Sequence, residues 1–158
     1  MSVSEFAKNH YGKIFKEEGA NLENTDPEFV ELFANFAFDD VIKQNELDDK
    51  TRHMAILATL IGCQGIDEFK VMLPLALDFG VTPVEVKEIV YQAVAYLGIG
   101  RVYPFLNGTN EILKERGIEI PLEPQSTTTR ENRLEKGIQT QVDIFGEQMR
   151  DFYKSGKE

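Results

Sequence analysis

Hydrophobic residues recur along this chain at steps of three and four, which is the spacing of one face of an α-helix. No segment shows the sustained apolar–polar alternation of a half-buried strand. The pattern therefore predicts an all-α fold of about six to seven helices. The predicted helices lie near residues 4–19, 25–42, 48–62, 66–79, 82–97, 102–116 and 131–153. The segment 118–129 contains two prolines and a Ser/Thr run, and is predicted to be a loop.

Glycine, proline and capping residues mark the expected helix ends. Thr82-Pro83-Val84-Glu85 has the composition of a capping box, and Thr25-Asp26-Pro27-Glu28 has a similar one. Gly19 is expected to end the first helix, because glycine adopts the left-handed conformation of a C-terminal cap at little cost. Pro74 lies inside the fourth helix and is expected to kink or break it.

The last predicted helix carries a narrow apolar seam rather than a broad core face. Its members are Ile138, Val142, Phe145, Met149 and Phe152. A seam of this kind after a loop predicts docking on the preceding domain or on a neighbouring subunit, and we favour a subunit contact. The predicted organisation is a helical domain at residues 1–120, a linker loop at 121–130 and a C-terminal helix at 131–158.

Composition excludes several classes of partner. The net charge of −10 disfavours nucleic acid, and no apolar run approaches the eighteen residues of a membrane span. The N-terminus lacks the features of a signal peptide, so a cytoplasmic location is expected. One Cys and two His are too few for a disulfide within the chain or a typical zinc site. We therefore predict no nucleic-acid partner, no membrane, no metal and no cofactor.

Three segments in order resemble a known family. They are Leu47-Asp48-Asp49-Lys50-Thr51-Arg52 before an apolar helix, the stretch from Ala76 to Glu88 with its Gly-Val-Thr-Pro turn, and Tyr96-Leu97-Gly98-Ile99-Gly100-Arg101. Together they resemble the carboxymuconolactone decarboxylase family, whose sister branch is the alkylhydroperoxidase D-like proteins. The resemblance covers about residues 25–117. It implies an alkylhydroperoxidase D-like helical bundle and a homo-oligomer, as a dimer, trimer or hexamer.

The resemblance also implies chemistry. The founding activity of the family is decarboxylation of a lactone acid, and the sister branch performs thiol redox reactions. The family usually has a Glu after the Thr-Arg pair and a His on the next helix. These positions are His53 and Met72 here, and Met cannot transfer a proton. His53 is a candidate acid because its unperturbed pKa lies near neutrality, and the alternative is a histidine on the helix surface.

Further candidates could bind a small carboxylate substrate. Arg52 and Arg101 could bind anions, Arg101 at a helix start where backbone N–H groups add attraction. The alternative for both is an ion pair between helices or subunits. Tyr96 could donate a hydrogen bond in a pocket, or pack against the core with its hydroxyl in water.

Cys63 is a candidate nucleophile. His53 lies ten residues earlier on the same predicted helix, roughly 15 Å along its axis, so it cannot activate the thiol directly. The alternative is a small buried apolar residue.

Three functions remain open from these residues. The first is a decarboxylase-like lyase acting on a small carboxylated or lactone substrate. The second is a thiol-dependent peroxide reductase, with peroxiredoxin-like activity through Cys63. The third is a non-catalytic oligomeric or ligand-binding module, which the substitutions at His53 and Met72 favour.

Overall fold

A computed structural model describes residues 2–9, 19–44 and 46–156. Across these residues the regular structure is helical and contains no strand, which confirms the all-α prediction. Residues 5–9 are helical. The longer elements are α1 (Gly19–Thr25), α2 (Pro27–Asn35), α3 (Asp49–Gly62), α4 (Ile66–Asp78), α5 (Pro83–Leu97), α6 (Ile99–Glu115), α7 (Arg133–Phe145) and α8 (Gln148–Ser155). A π-helical turn, Phe36–Asp40, and a short helix, Val41–Lys43, follow α2 directly.

The chain divides into two compact units, Met1–Ile120 and Pro121–Glu158. The first unit contains α1 to α6, and the second contains α7 and α8. Residues 118–132 are not helical, as predicted for the loop at 118–129. Within the described ranges, no helix has both the length and the apolar character needed to cross a bilayer.

Helices α3 to α6 enclose the main hydrophobic core of the first unit. Its fully buried side chains include Leu57, Ile61, Phe69, Leu73, Val86, Val90, Val102 and Phe105. The rings of Phe69 and Phe105 meet edge to face, with centroids 5.1 Å apart. Burying one such side chain contributes about 1.5–3 kcal/mol, so this core holds α3 and α4 in place relative to each other.

The capping box predicted before α5 is present. The backbone N–H of Glu85 donates to the Thr82 hydroxyl at 3.2 Å, and the N–H of Thr82 donates to the Glu85 carboxylate at 2.8 Å. Lys50 on α3 lies 2.7 Å from the same carboxylate. The hydrogen bond from Lys50, with help from Thr82, lowers the pKa of Glu85 to about 2. The start of α5 is thereby connected to the start of α3.

Two helix ends near the N-terminus differ from the prediction. Gly19 is helical, in the element Gly19–Thr25, so the C-terminal cap expected there is wrong. Glycine is tolerated within a helix at a cost of about 1 kcal/mol. Most of the first predicted helix, residues 10–18, lies outside the described residues. Helix α2 begins at Pro27 as predicted, but Asp26 makes no capping hydrogen bond through its side chain.

Pro74 does not break α4, which is continuous from Ile66 to Asp78. A proline inside a helix removes one backbone hydrogen bond and costs about 3 kcal/mol. Leu73, Leu75 and Ala76 beside it are buried, and their burial offsets a cost of that size.

The predicted C-terminal helix is two helices. Gly146 has φ of 98°, a left-handed conformation that ends α7 and that glycine adopts without strain. The continuous seam is therefore wrong, because the chain turns in its middle. Val142 is buried, whereas Phe145 and Phe152 are exposed.

Residues 2–9 pack against α2 and the π-helical turn. The N–H of Ser4 donates to Asn35 Oδ1 at 2.8 Å, and Asn35 Nδ2 donates to the carbonyl of Ser2 at 3.3 Å. Ala7 is fully buried in a second cluster with Ala34 and Phe38. The N-terminal segment thus fixes the end of α2 where the π-helical turn begins.

Candidate functional site

A pocket of 440 Å³ opens in the first unit, bounded by the π-helical turn, α3 and α4. Its described lining contains ten apolar residues (Phe33, Phe36, Ala37, Phe38, Val41, Leu47, Ala55, Ile56, Leu60, Met72) and three polar ones (Arg52, Thr59, Glu68). We call it the Arg52 pocket. Its volume and its mostly apolar wall with a few polar groups are typical of small-molecule sites.

The π-helical turn shapes one wall of this pocket. The N–H of Val41 donates to the carbonyl of Phe36, five residues earlier, so the turn holds one residue more than an α-helical turn. Both Phe36 and Phe38 line the pocket, and Phe36 is exposed whereas Phe38 is buried. Single π-helical turns occur frequently at functional sites, because the extra residue redirects the side chains around it.

Arg52 enters the pocket from the first turn of α3, which Asp48 caps. The N–H of Thr51 donates to Asp48 Oδ1 at 2.9 Å. The Arg52 side chain is only 10% exposed. Its guanidinium donates to Asp49 Oδ1 at 2.5 Å and to the carbonyl of Leu47 at 2.7 Å. These two hydrogen bonds fix the orientation of the guanidinium. Asp49 offsets part of the positive charge that Arg52 presents to a ligand.

His53 is a core residue and does not line the pocket. It is 1% exposed, and its ring stacks on Phe79 with centroids 4.5 Å apart. Nδ1 lies 2.6 Å from the carbonyl oxygen of Asp49. A carbonyl only accepts, so Nδ1 carries the proton. Burial lowers the pKa of His53, while the Asp49 carbonyl opposes that shift. The alternative of a surface histidine is wrong.

Met72 does line the Arg52 pocket and is 4% exposed. The position at which the family resemblance implies a His therefore faces the same space as Arg52. Glu68 lies one turn earlier on α4, where a separation of four residues places both side chains on one helix face. Glu68 was not expected from the sequence, although this spacing was a usable signal.

Cys63 follows the last turn of α3 and is exposed. The alternative of a buried apolar cysteine is therefore wrong. Its thiol donates to the carbonyl of Leu60 at 3.5 Å. A carbonyl oxygen suits a protonated thiol, because it cannot donate a hydrogen bond to a thiolate. Cys63 lies outside the lining of the Arg52 pocket.

Tyr96 and Arg101 lie apart from the Arg52 pocket. Tyr96 is 87% exposed and lines a separate groove of 320 Å³ between α3 and α5. Arg101 is exposed in the first turn of α6, which begins after Gly98 with φ of 80°. The structure thus places Arg52 and Tyr96 in two different depressions, and Arg101 lines neither of them.

A second buried cation joins α5 to α6. Lys87 is buried and donates to Asn110 Oδ1, and its ammonium lies 5.8 Å from the ring centroid of Tyr91. Burial lowers the pKa of Lys87. Within the described part of the chain, no group of three His, Cys, Asp or Glu residues is arranged to hold a metal ion.

Comparison with known proteins places this pocket in a family context. The model of the carboxymuconolactone decarboxylase family matches residues 27–107, a little more than half of the chain, and this range includes all the described residues that line the Arg52 pocket. A 4-carboxymuconolactone decarboxylase from Acinetobacter baylyi (strain ATCC 33305 / BD413 / ADP1) is 26% identical over 98 residues, which are 62% of this chain and 73% of the relative. The chain belongs to the carboxymuconolactone decarboxylase family.

Proposed function

We propose that the protein is a decarboxylase-type lyase that takes a small carboxylated or lactone substrate into the Arg52 pocket. The observation that carries this proposal is that Arg52 and Met72 line one cavity of small-molecule size. Met72 occupies the position at which the family resemblance implies a His that transfers a proton. The name of the Acinetobacter relative supports a lactone acid as the substrate.

The pocket suits the loss of a carboxylate. Decarboxylation converts a localised negative charge into a delocalised one as neutral carbon dioxide leaves. Apolar walls such as Ile56, Leu60 and Met72 disfavour the localised charge more than the delocalised one. Arg52 can hold an oxygen of the substrate, in competition with Asp49.

Carbon dioxide release from carboxymuconolactone and related lactone acids tests the proposal. Arg52→Gln should lower kcat/KM by about 100-fold, since it removes a buried charged hydrogen-bond donor. Arg116→Gln is the matched control, because Arg116 pairs with Asp78 outside the pocket and its loss should leave kcat/KM unchanged. Absence of turnover across the panel would refute the proposal. A comparable loss in Arg101→Ala would add Arg101 to the site.

Met72 favours a second candidate function, a ligand-binding module without turnover. Methionine cannot donate a proton to a carbanion, and its side chain faces the pocket directly. Lactone acids would then raise the melting temperature without releasing carbon dioxide. Measured turnover by the purified chain would exclude this function.

The exposure of Cys63 favours a third candidate, a thiol-dependent peroxide reductase. Such an enzyme would consume peroxide with an external thiol as the reductant. Cys63→Ser should then abolish peroxide consumption, and an alkylating reagent should modify Cys63 in the folded protein. Resistance to alkylation, or full activity of the variant, would exclude this function.

We also propose that the protein is a homo-oligomer, as a dimer, trimer or hexamer. Large apolar side chains on one face of α2, namely Phe29, Leu32 and Phe33, are exposed in the single chain. Contiguous exposed apolar surface commonly marks an interface. Light scattering after gel filtration tests this proposal, and a monomer at micromolar concentration would contradict it.

A further inference from the structure

Glu68 and Met72 form a pair on the pocket face of α4. They lie four residues apart, and both line the Arg52 pocket. Met72 is buried, whereas Glu68 is exposed. The pair therefore runs from the inside of the pocket to its solvent edge, with the carboxyl group at the edge.

We infer that Glu68 donates the proton in the decarboxylation, in place of the histidine that the family resemblance implies at position 72. This inference rests on the proposed function. It assigns to Glu68 contact with the reacting carbon of the substrate, and it leaves Met72 as an apolar wall.

The other polar residues of the pocket cannot supply this proton. Arg52 stays protonated at any working pH. Thr59 has a hydroxyl that donates to the carbonyl of Ala55 at 2.8 Å, and a hydroxyl is too weak an acid for the task. Glu68 is the one carboxylic acid among the described residues that line the pocket.

The step balances without a cofactor. The bond between the reacting carbon and the substrate carboxylate breaks, and carbon dioxide leaves without the bonding electron pair. That pair remains on the carbon, delocalised into the unsaturated lactone. The carboxylic acid of Glu68 transfers its proton to the carbon and becomes a carboxylate. Solvent at the pocket edge then returns a proton to Glu68.

The charges of the described residues that line the pocket suit this role of Glu68 once a substrate is bound. Arg52, from α3, is the other charged residue in the described lining, and Asp49 already offsets part of its charge. A carboxylate substrate then adds a negative charge beside Glu68. Like charges in a shared site favour the protonated form of one of them. Asp67, the neighbouring acid on α4, lies about 100° around the helix and outside the lining.

Glu68→Gln tests the assignment, with Asp67→Asn as its matched control. The Gln variant keeps the size and polarity of the side chain but has no acidic proton. We expect kcat for carboxymuconolactone to fall by about 100-fold or more, the typical contribution of a general acid, with KM within about threefold. Asp67→Asn should keep kcat within about twofold. In the wild type, kcat should fall as pH rises through the titration of Glu68, and this dependence should be lost in Glu68→Gln.

A rescue variant separates proton donation from a structural role. Met72→His combined with Glu68→Gln returns a proton donor to the pocket on the same face of α4. We expect at least a tenfold recovery of kcat over Glu68→Gln alone, with the pH dependence of an imidazole. A variant that had lost only structural support would not recover in this way.

The outcomes distinguish the inference from the proposal beneath it. Turnover by the wild type with unchanged kcat in Glu68→Gln overturns the assignment of Glu68 and leaves the decarboxylase proposal standing. Absence of turnover in the wild type overturns both. A large loss in Glu68→Gln with recovery in the double variant supports both.

Discussion

The imidazole of His53 lies between a backbone carbonyl and an aromatic ring. Burial lowers its pKa and favours the neutral form, whereas the hydrogen bond to the carbonyl acts in the opposite direction. The Asp49 carbonyl fixes the proton on Nδ1, and the face of Phe79 covers the ring. Arg52, one residue earlier, points into the pocket instead. Consecutive helical residues point about 100° apart, so Arg52 lines the pocket while His53 packs in the core.

The burial of His53 predicts a pH dependence of stability. Its pKa is lowered from the ordinary value of 6.5 in the folded state, so the folded chain binds fewer protons than the unfolded chain. The contribution of His53 to the free energy of unfolding is therefore complete above pH 6.5. It decreases as pH falls from 6.5 towards the lowered pKa of the folded state. We expect the free energy of unfolding in urea to fall from pH 7.5 to pH 5.5.

A His53→Gln variant serves as the control for this experiment. It removes the titrating ring but keeps a polar side chain at position 53. Its free energy of unfolding should fall less than that of the wild type over the same pH range. An equal fall in both proteins would show that other groups cause the dependence.

At the scale of the elements, single residues determine where helices end and how they face one another. The capping box at Thr82 and Glu85 could be predicted, because its hydrogen bonds join residues three positions apart. The π-helical turn at Phe36–Asp40 could not be predicted, because its Phe38 packs against Ala7, which lies about thirty positions earlier in the sequence. The end of α7 was missed because Gly146 lies within a repeat of apolar residues that continues past it.

Gly146→Ala tests the role of that glycine. An alanine there would adopt a left-handed φ, and its Cβ would meet Gln148 Oε1 at 2.8 Å. We expect a loss of about 1–2 kcal/mol in the stability of the second unit. Hydrogen exchange of the amides of α7 and α8 measures this loss, while protection of α3 to α6 should not change.

Gly137→Ala is the matched control, since Gly137 lies inside α7 and a Cβ there meets no neighbour within 4 Å. This substitution should stabilise α7 by about 1 kcal/mol, the difference between alanine and glycine in a helix. A change in stability of the same sign for Gly146→Ala and Gly137→Ala would contradict the left-handed conformation of Gly146.

At the scale of the whole molecule, each of the two units contains its own packed helices. The all-α class and the loop before the second unit could be predicted from the sequence, because periodicity and proline content are local. The burial of His53 and the exposure of Cys63 could not be predicted, since burial depends on which helices pack together. The pocket could not be predicted either, because it joins residues from α2 to α4 that are distant in the sequence.

The division into units predicts that a fragment of residues 1–120 folds alone. It contains the core of α3 to α6 and the Arg52 pocket, as far as the structure describes their residues. We expect cooperative thermal unfolding by circular dichroism, and a melting temperature that rises with the same lactone acids as in the full chain. A fragment that is unfolded at 25 °C would contradict this prediction. Light scattering of the fragment would also show whether α7 and α8 contribute to an oligomer.

The exposure of Cys63 has a practical consequence. The chain has one cysteine, and it is accessible at the end of α3, outside the Arg52 pocket. A maleimide spin label would therefore attach at a single defined position without further mutagenesis. In the proposed homo-oligomer, pulsed dipolar spectroscopy between labelled copies would then give distances between subunits, and the number of distinct distances would report the symmetry.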